Sequence, residues 1–281
     1  MSAPFLLEPA SVFASLHGPN PPILLDVRRR ALVDESGYLL PASRLADHGD
    51  GPALASRLDP ARPVVVSCAH GHGRSQRVVA HLRSEGFAAS VLAGGYEGWV
   101  AADLPRVRRA VGPVTLGERP TFWVTRRRPK VDRVACPWLV SRFLDPEARF
   151  LFVEPDQVLA VAADEGAIAF DLPGAPFEHD DELCTFDTLL GAFGLDRDPH
   201  LQALACIVRG ADTDRLDLAP EAAGLLALSL GFSARYEDDD QAVLRAGFGL
   251  YDALFTWVRE ARGERHHWPR AAAVAASGRG F

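Results

Sequence analysis

The chain has 281 residues, 48% of them hydrophobic and 24% charged, with a formal net charge of −7. That length suits two domains of ordinary size, and that balance belongs to a soluble globular protein. The acidic surplus excludes a general attraction to nucleic acid or anionic membrane, and no apolar run approaches the roughly 20 residues that span a bilayer. The first residues carry no basic stretch ahead of a long apolar run, so no secretory signal and a cytoplasmic location are expected. The four cysteines, Cys68, Cys136, Cys184 and Cys206, lie far apart and form no CxxC pair. Each is therefore read singly, without a disulfide framework, thioredoxin motif or zinc knuckle.

Pro21-Pro22 precedes a short apolar run over 23–27, which reads as a buried strand. A second run over 63–67 leads straight into Cys68. The spacing of Val78, Val79 and Leu82 predicts a helix over 75–86 with Gly86 as its C-cap. A third strand is expected over 88–92, closed by Gly94-Gly95. Strands alternating with helices imply a parallel sheet covered on both faces, with ligands at the carboxyl ends of its strands. Residues 106–120 lose the periodicity and are expected to be a linker. Beyond them, strands are expected over 122–125, 149–153 and 167–170. Helices are expected over 132–143, 185–193, 199–208, 220–232 and 239–262. The second domain, 121–269, thus reads as mostly helical α+β, and the tail over 270–281 is expected to be disordered.

Cys68 heads the loop Cys68-Ala69-His70-Gly71-His72-Gly73-Arg74-Ser75 between a strand and a helix. Amides of such a loop and of the helix N-terminus converge on one small volume, which favours a thiolate and an anion beside it. Gly71 and Gly73 let the backbone turn its N–H groups inward. Arg74 offers a planar cationic fork, Ser75 is expected to cap the helix, and His70 and His72 offer hydrogen bonds or a proton. Cys68 and Arg74 are thus the expected catalytic pair, with Ala69, His70, Gly71, His72, Gly73 and Ser75 around the substrate.

Four words in order make residues 1–105 resemble a rhodanese-like domain. They are Asp26-Val27-Arg28, Gly37-Tyr38 with Pro41-Ala42, Cys68, and Gly94-Gly95-Tyr96-Glu97-Gly98-Trp99. The resemblance implies a rhodanese-like parallel sheet flanked by helices, and sulfur transfer in which Cys68 carries a sulfane sulfur as a persulfide. One departure stands out: five residues separate Cys68 from Arg74, whereas most single-domain rhodaneses have four. Cys-x5-Arg is the spacing of tyrosine phosphatases and related arsenate reductases, and a wider loop accommodates a tetrahedral oxyanion.

The second domain carries three polar clusters. Arg126 to Arg133 is basic but short, and reads as a solvated or anion-binding strand end rather than a nucleic-acid patch. His179, Glu182, Cys184 and Asp187 lie close in sequence and, with Asp212, offer nitrogen, oxygen and sulfur donors to a divalent transition metal. His179, Asp187 and Asp212 are the expected ligands. The spacing fits no standard zinc signature, and helix and turn capping is the competing reading for the aspartates. The segments Lys130-Val131-Asp132-Arg133-Val134-Ala135-Cys136-Pro137-Trp138-Leu139, Phe177-Glu178-His179, Leu183-Cys184-Thr185-Phe186-Asp187 and Ala211-Asp212 make residues from about 122 to 259 resemble the C-terminal domain of ChrB-type chromate resistance proteins. That resemblance implies a role in chromate tolerance.

Three functions follow as expectations: a cysteine-dependent sulfurtransferase-like protein in chromate resistance, a Cys-x5-Arg oxyanion reductase or phosphatase, or a non-catalytic chromate or metal sensor. The expected partners are a small-molecule sulfur donor or oxyanion, such as thiosulfate or chromate, with no nucleic acid and no membrane.

Overall fold

The computed structural model describes residues 5–47, 49 and 51–264. The expected disordered tail over 270–281 lies outside them. The N-terminal part runs β1 (Leu6–Leu7), α1 (Pro9–Ser15), β2 (Ile23–Asp26), α2 (Arg30–Ser36), β3 (Tyr38–Leu39), β4 (Ser43–Leu45), α3 (Gly51–Ala55), β5 (Val64–Ser67), α4 (Gly73–Ser84), β6 (Ala89–Leu92) and α5 (Gly95–Ala101). Its five-stranded sheet has the order β1-β6-β5-β2-β4, and every pairing is parallel. β2, β5 and β6 are buried along their whole length. This is why they read as unbroken apolar runs rather than alternating ones. Alternate residues feed two cores. Leu25, Val64, Val66 and Val91 pack under Val78, Val79 and Leu82 of α4. Leu24, Val65 and Leu92 pack under Val12, Tyr96 and Trp99 of α1 and α5.

Residues 106–120 are folded rather than an open connection. β7 (Val107–Arg108) pairs antiparallel with β3, and β8 (Ala110–Val111) with β9 (Val114–Thr115) makes a small hairpin. Val107, Val114 and Leu116 are buried in the core of the second domain together with Val33 and Leu39 of the first. The polar and glycine texture that suggested a linker belongs to the turns, while three apolar residues anchor the segment.

The second domain continues with β10 (Phe122–Arg126), α6 (Val131–Leu139), a π turn (Val140–Leu144), β11 (Arg149–Val153), α7 (Val158–Glu165), β12 (Ile168–Ala169), α8 (Thr185–Phe193), α9 (Pro199–Asp212), α10 (Ala222–Arg235) and α11 (Asp240–Thr256). A short 3-10 turn (Leu216–Leu218) and a second π turn (Trp257–Ala261) complete it. β11-β10-β12 form a parallel sheet, and the helices enclose an aromatic core around Trp138, Phe143, Phe186 and Phe255. The buried indoles keep their N–H groups bonded, Trp138 to Asp252 at 2.8 Å and Trp123 to Thr121 at 2.8 Å. The expected straight helix over 132–143 widens after Pro137, which lies inside α6. Proline removes one helical N–H and crowds the preceding turn, and a π turn follows. Among the described residues no helix is long and apolar enough to cross a membrane.

The two domains share a tight joint. The Ala42 amide donates to the Phe143 carbonyl in the π turn at 2.6 Å, and the Leu45 amide to Gly117 at 2.9 Å. His17, from the first domain, stacks on Phe143 with ring centroids 4.5 Å apart and meets Phe255 edge-on at 5.1 Å. Both its ring nitrogens are buried and have no hydrogen-bond partner among the described residues. Burial, then the nearby Arg259, lowers its pKa from 6.5 to about 3. Below pH 6.5 the unfolded chain takes up a proton that the folded chain refuses, so stability falls as pH drops toward 3. Urea midpoints at pH 7 and pH 5 should show this loss, about 2 kcal/mol from this group. The loss should shrink in His17→Phe, and an undiminished loss in that variant would contradict the account.

Candidate functional site

β5 ends at Ser67 and α4 begins at Gly73, so Cys68 sits at the carboxyl end of a central strand. The turn between them is clamped from α5: the Tyr96 amide donates to the Cys68 carbonyl at 2.8 Å and the Glu97 amide to the Ala69 carbonyl at 3.0 Å. With those two carbonyls held away, the amides of His70, His72 and Ser75 reach the sulfur. Two glycines make the clamp possible. Gly71 has φ +72°, and a Cβ there would come 2.8 Å from the Leu92 carbonyl. Gly95 has φ +60°, and a Cβ there would collide with the Cys68 carbonyl.

The sulfur itself is largely buried. It lies 3.2 Å from the Ser75 hydroxyl and 3.5 Å from the His72 carbonyl. Burial pushes the thiol pKa up. The Ser75 hydroxyl and the amides of Ser75, His70 and His72 outweigh burial, and the net shift is downward. Ser75 was expected to cap α4. The N-cap is His72, and the Ser75 hydroxyl instead lies within reach of both the His72 carbonyl, at 3.0 Å, and the Cys68 sulfur, so its one proton turns to the sulfur when Cys68 ionises. His70 and His72 are exposed and bring backbone to the sulfur.

A pocket of about 390 Å³ opens over Cys68, lined by Ala69, His70, His72, Gly73, Arg74 and the arginines Arg28 and Arg29. Arg28 was singled out only as part of a family word. It is buried, pairs with Asp26 at 2.6 Å, donates to the Tyr38 carbonyl at 2.8 Å, and lies 3.7 Å from the Tyr96 ring centroid. It is thus a strut joining β2, β3 and α5. Arg74 has no hydrogen-bond or ion-pair partner among the described residues. Three consecutive arginines directly after a strand were the signal for this basic rim.

Cys136 and Cys184 differ. Burial, then Asp132, pushes the Cys136 thiol well up, and burial with the same carboxylate pushes up Cys184. Iodoacetamide at neutral pH should therefore label Cys68 ahead of Cys136 and Cys184 in the folded protein, as read by peptide mass mapping. Ser75→Ala should move the pH midpoint of Cys68 labelling upward. An unchanged midpoint would remove the hydroxyl from the account.

In the second domain, four side chains from four places meet. Asp132 opens α6, Asp171 follows β12, His179 lies in the loop before α8, and Asp212 ends α9. The His179 Nε2 lies 3.6 Å from Asp132, 3.3 Å from Asp171 and 3.3 Å from Asp212. The Asp171 hydrogen bond, opposed by burial and helped by Asp132 and Asp212, raises the His179 pKa to about 9. Burial, then Asp212 and Asp171, pushes the Asp132 carboxyl up, and burial does the same to Asp212. Asp171 is lowered despite burial, by His179 and by Arg126 and Arg133, which pair with it at 2.9 and 3.2 Å.

Of the three expected ligands, His179 and Asp212 come together and Asp187 does not. Asp187 accepts from the Cys184 amide at 3.1 Å, completing the cap of α8, and pairs with Arg209 at 3.0 Å. Glu182 faces solvent and pairs with Arg215 at 2.7 Å. Asp132 takes the vacant place. Sequence reasoning passed over it because it lay inside a basic run. Within that run Arg126 and Arg133 hold Asp171, and Arg127 holds Glu154 at 2.7 Å.

Comparison with known proteins agrees with both halves. Residues 9–102 match the model of the rhodanese-like domain, and residues 123–258 match that of the ChrB C-terminal domain. Residues 9–102 thus carry a rhodanese-like domain and residues 123–258 a ChrB C-terminal domain. The chain is 38% identical over 134 residues to Protein ChrB of Cupriavidus metallidurans, a match covering 48% of this chain and 40% of that protein. The chain thus spans well under two thirds of that relative's length. Among solved structures, a rhodanese-related protein from Thermoplasma volcanium is 21% identical, with a TM-score of 0.33, over 37% of this chain and 98% of that one. A rhodanese-like domain protein from Staphylococcus aureus is 22% identical, with a TM-score of 0.31, over 34% and 91%.

Proposed function

We propose that this protein is a cysteine-dependent sulfurtransferase acting in chromate resistance, with Cys68 as the sulfur carrier. The observation that carries the reading is the lowered thiol at the floor of an amide-lined, arginine-rimmed pocket. The ChrB C-terminal domain supports the chromate context. The Cys68 thiolate attacks the outer sulfur of a donor such as thiosulfate. The donor's S–S bond breaks, sulfite leaves with the electron pair, and a Cys68 persulfide remains. A nucleophilic acceptor then takes the outer sulfur and returns the thiolate. The loop amides offset negative charge on the persulfide, and Arg74 offers its fork to the donor's oxyanion end.

A second reading, oxyanion chemistry through Cys-x5-Arg, is favoured by the five-residue spacing and by Arg74, which lines the pocket and has no ion-pair partner among the described residues. Thiosulfate with cyanide as acceptor separates the two. Thiocyanate should form, and Cys68→Ala should abolish it. Arg74→Lys should lower kcat/KM by about 100-fold, the scale for losing one oriented charge-assisted donor. No thiocyanate from reduced protein, combined with Cys68-dependent turnover of arsenate or an aryl phosphate, would favour the second reading.

A further inference from the structure

We infer that Asp132, His179 and Asp212 form a binding site for one divalent first-row transition ion in the second domain. Their donor atoms, one imidazole nitrogen and one oxygen from each carboxylate, all lie within 4.8 Å of one another. Two donors each about 2.1 Å from a common ion stand roughly 3.0–3.4 Å apart. The His179 nitrogen lies 3.3 Å from Asp212 and 3.6 Å from Asp132, at and just beyond that range.

The carboxylates are already aimed. Asp212 spends one oxygen on the Asp132 amide, at 3.2 Å, and turns the other toward His179. Asp132 accepts from the Thr185 amide at 2.6 Å and the Phe186 amide at 3.1 Å, which fixes its plane against the start of α8. Such outer contacts are the usual orienting shell of a metal ligand. Asp171 also lies 3.3 Å from His179, but Arg126 and Arg133 already neutralise it, so it is not counted among the ligands.

Charge supplies the independent argument. Asp132 is 2% exposed, and His179 is the only cation within ion-pair distance of it or of Asp212 among the described residues. One imidazole nitrogen carries one proton and cannot serve three carboxylates. A buried carboxylate without a full partner is costly, and a divalent ion resolves the imbalance. Access exists on the His179 side: its ring is 42% exposed and lines a pocket of about 390 Å³ together with Val111, Gly112 and Pro113 of the interdomain hairpin. A nitrogen donor with two carboxylates suits manganese, iron or zinc, and is poor for calcium, which takes oxygen ligands.

The test uses the full chain carrying Cys68→Ala, so that the reactive thiol binds no metal, stripped with chelator and titrated calorimetrically with Zn²⁺, Mn²⁺ or Ca²⁺. One equivalent of Zn²⁺ or Mn²⁺ should bind, with calcium much weaker. His179→Ala and Asp212→Asn should each weaken binding about 10-fold or more, and Asp187→Asn should leave it unchanged. Circular dichroism confirms that each variant is folded. Absence of stoichiometric binding, or binding by folded His179→Ala equal to that of its parent, would overturn the inference.

Discussion

The clamp between α5 and the Cys68 loop is the constraint on which the rest of the first site depends. Two backbone hydrogen bonds, from Tyr96 and Glu97 to the carbonyls of Cys68 and Ala69, fix the loop's orientation. Once those carbonyls are engaged, the amides of His70, His72 and Ser75 are left to face the sulfur. A buried thiol is ordinarily pushed toward its neutral form. Here the oriented dipoles reverse that outcome. The arginines then act on a centre that is already polarised. Arg28 braces the clamp through Asp26, Tyr38 and Tyr96, and Arg74 faces the pocket.

The second domain solves a different electrostatic problem. It brings three carboxylates to one imidazole and balances only one of them with arginine. The two domains are also mechanically tied. His17 enters the aromatic core of the second domain, and the Ala42 amide bonds to the π turn. The hairpin of residues 110–115 lines the pocket at His179, while Val107 and Leu116 beside it seal the joint. One segment therefore contributes both to the interface and to the surroundings of the second cluster.

Much of the first domain was legible because parallel strands buried on both faces leave unbroken apolar runs. The strands around Ile23, Val64 and Ala89 were found for that reason. β1, β3 and β4 have two or three residues each and leave no such trace. Cys68 was legible because loop glycines and a following helix are local features. The role of Ser75 was not, because it depends on the helix beginning two residues early. The second cluster joins residues 132, 171, 179 and 212, and only tertiary packing brings them together. Sequence proximity favoured Asp187, which caps its own helix. Pro137 lies well inside α6, and the widening that follows it went unseen because periodicity continues through a π turn.

The central claim is that the Cys68 loop holds a thiolate able to accept sulfane sulfur. Mass mapping of reduced protein after brief exposure to thiosulfate tests it most directly, with alkylation used to trap the product. The account predicts one added sulfur atom on the peptide carrying Cys68, absent from Cys136 and Cys184 and removed by cyanide. Peptides free of added sulfur, in protein whose Cys68 still reacts with iodoacetamide, would contradict it.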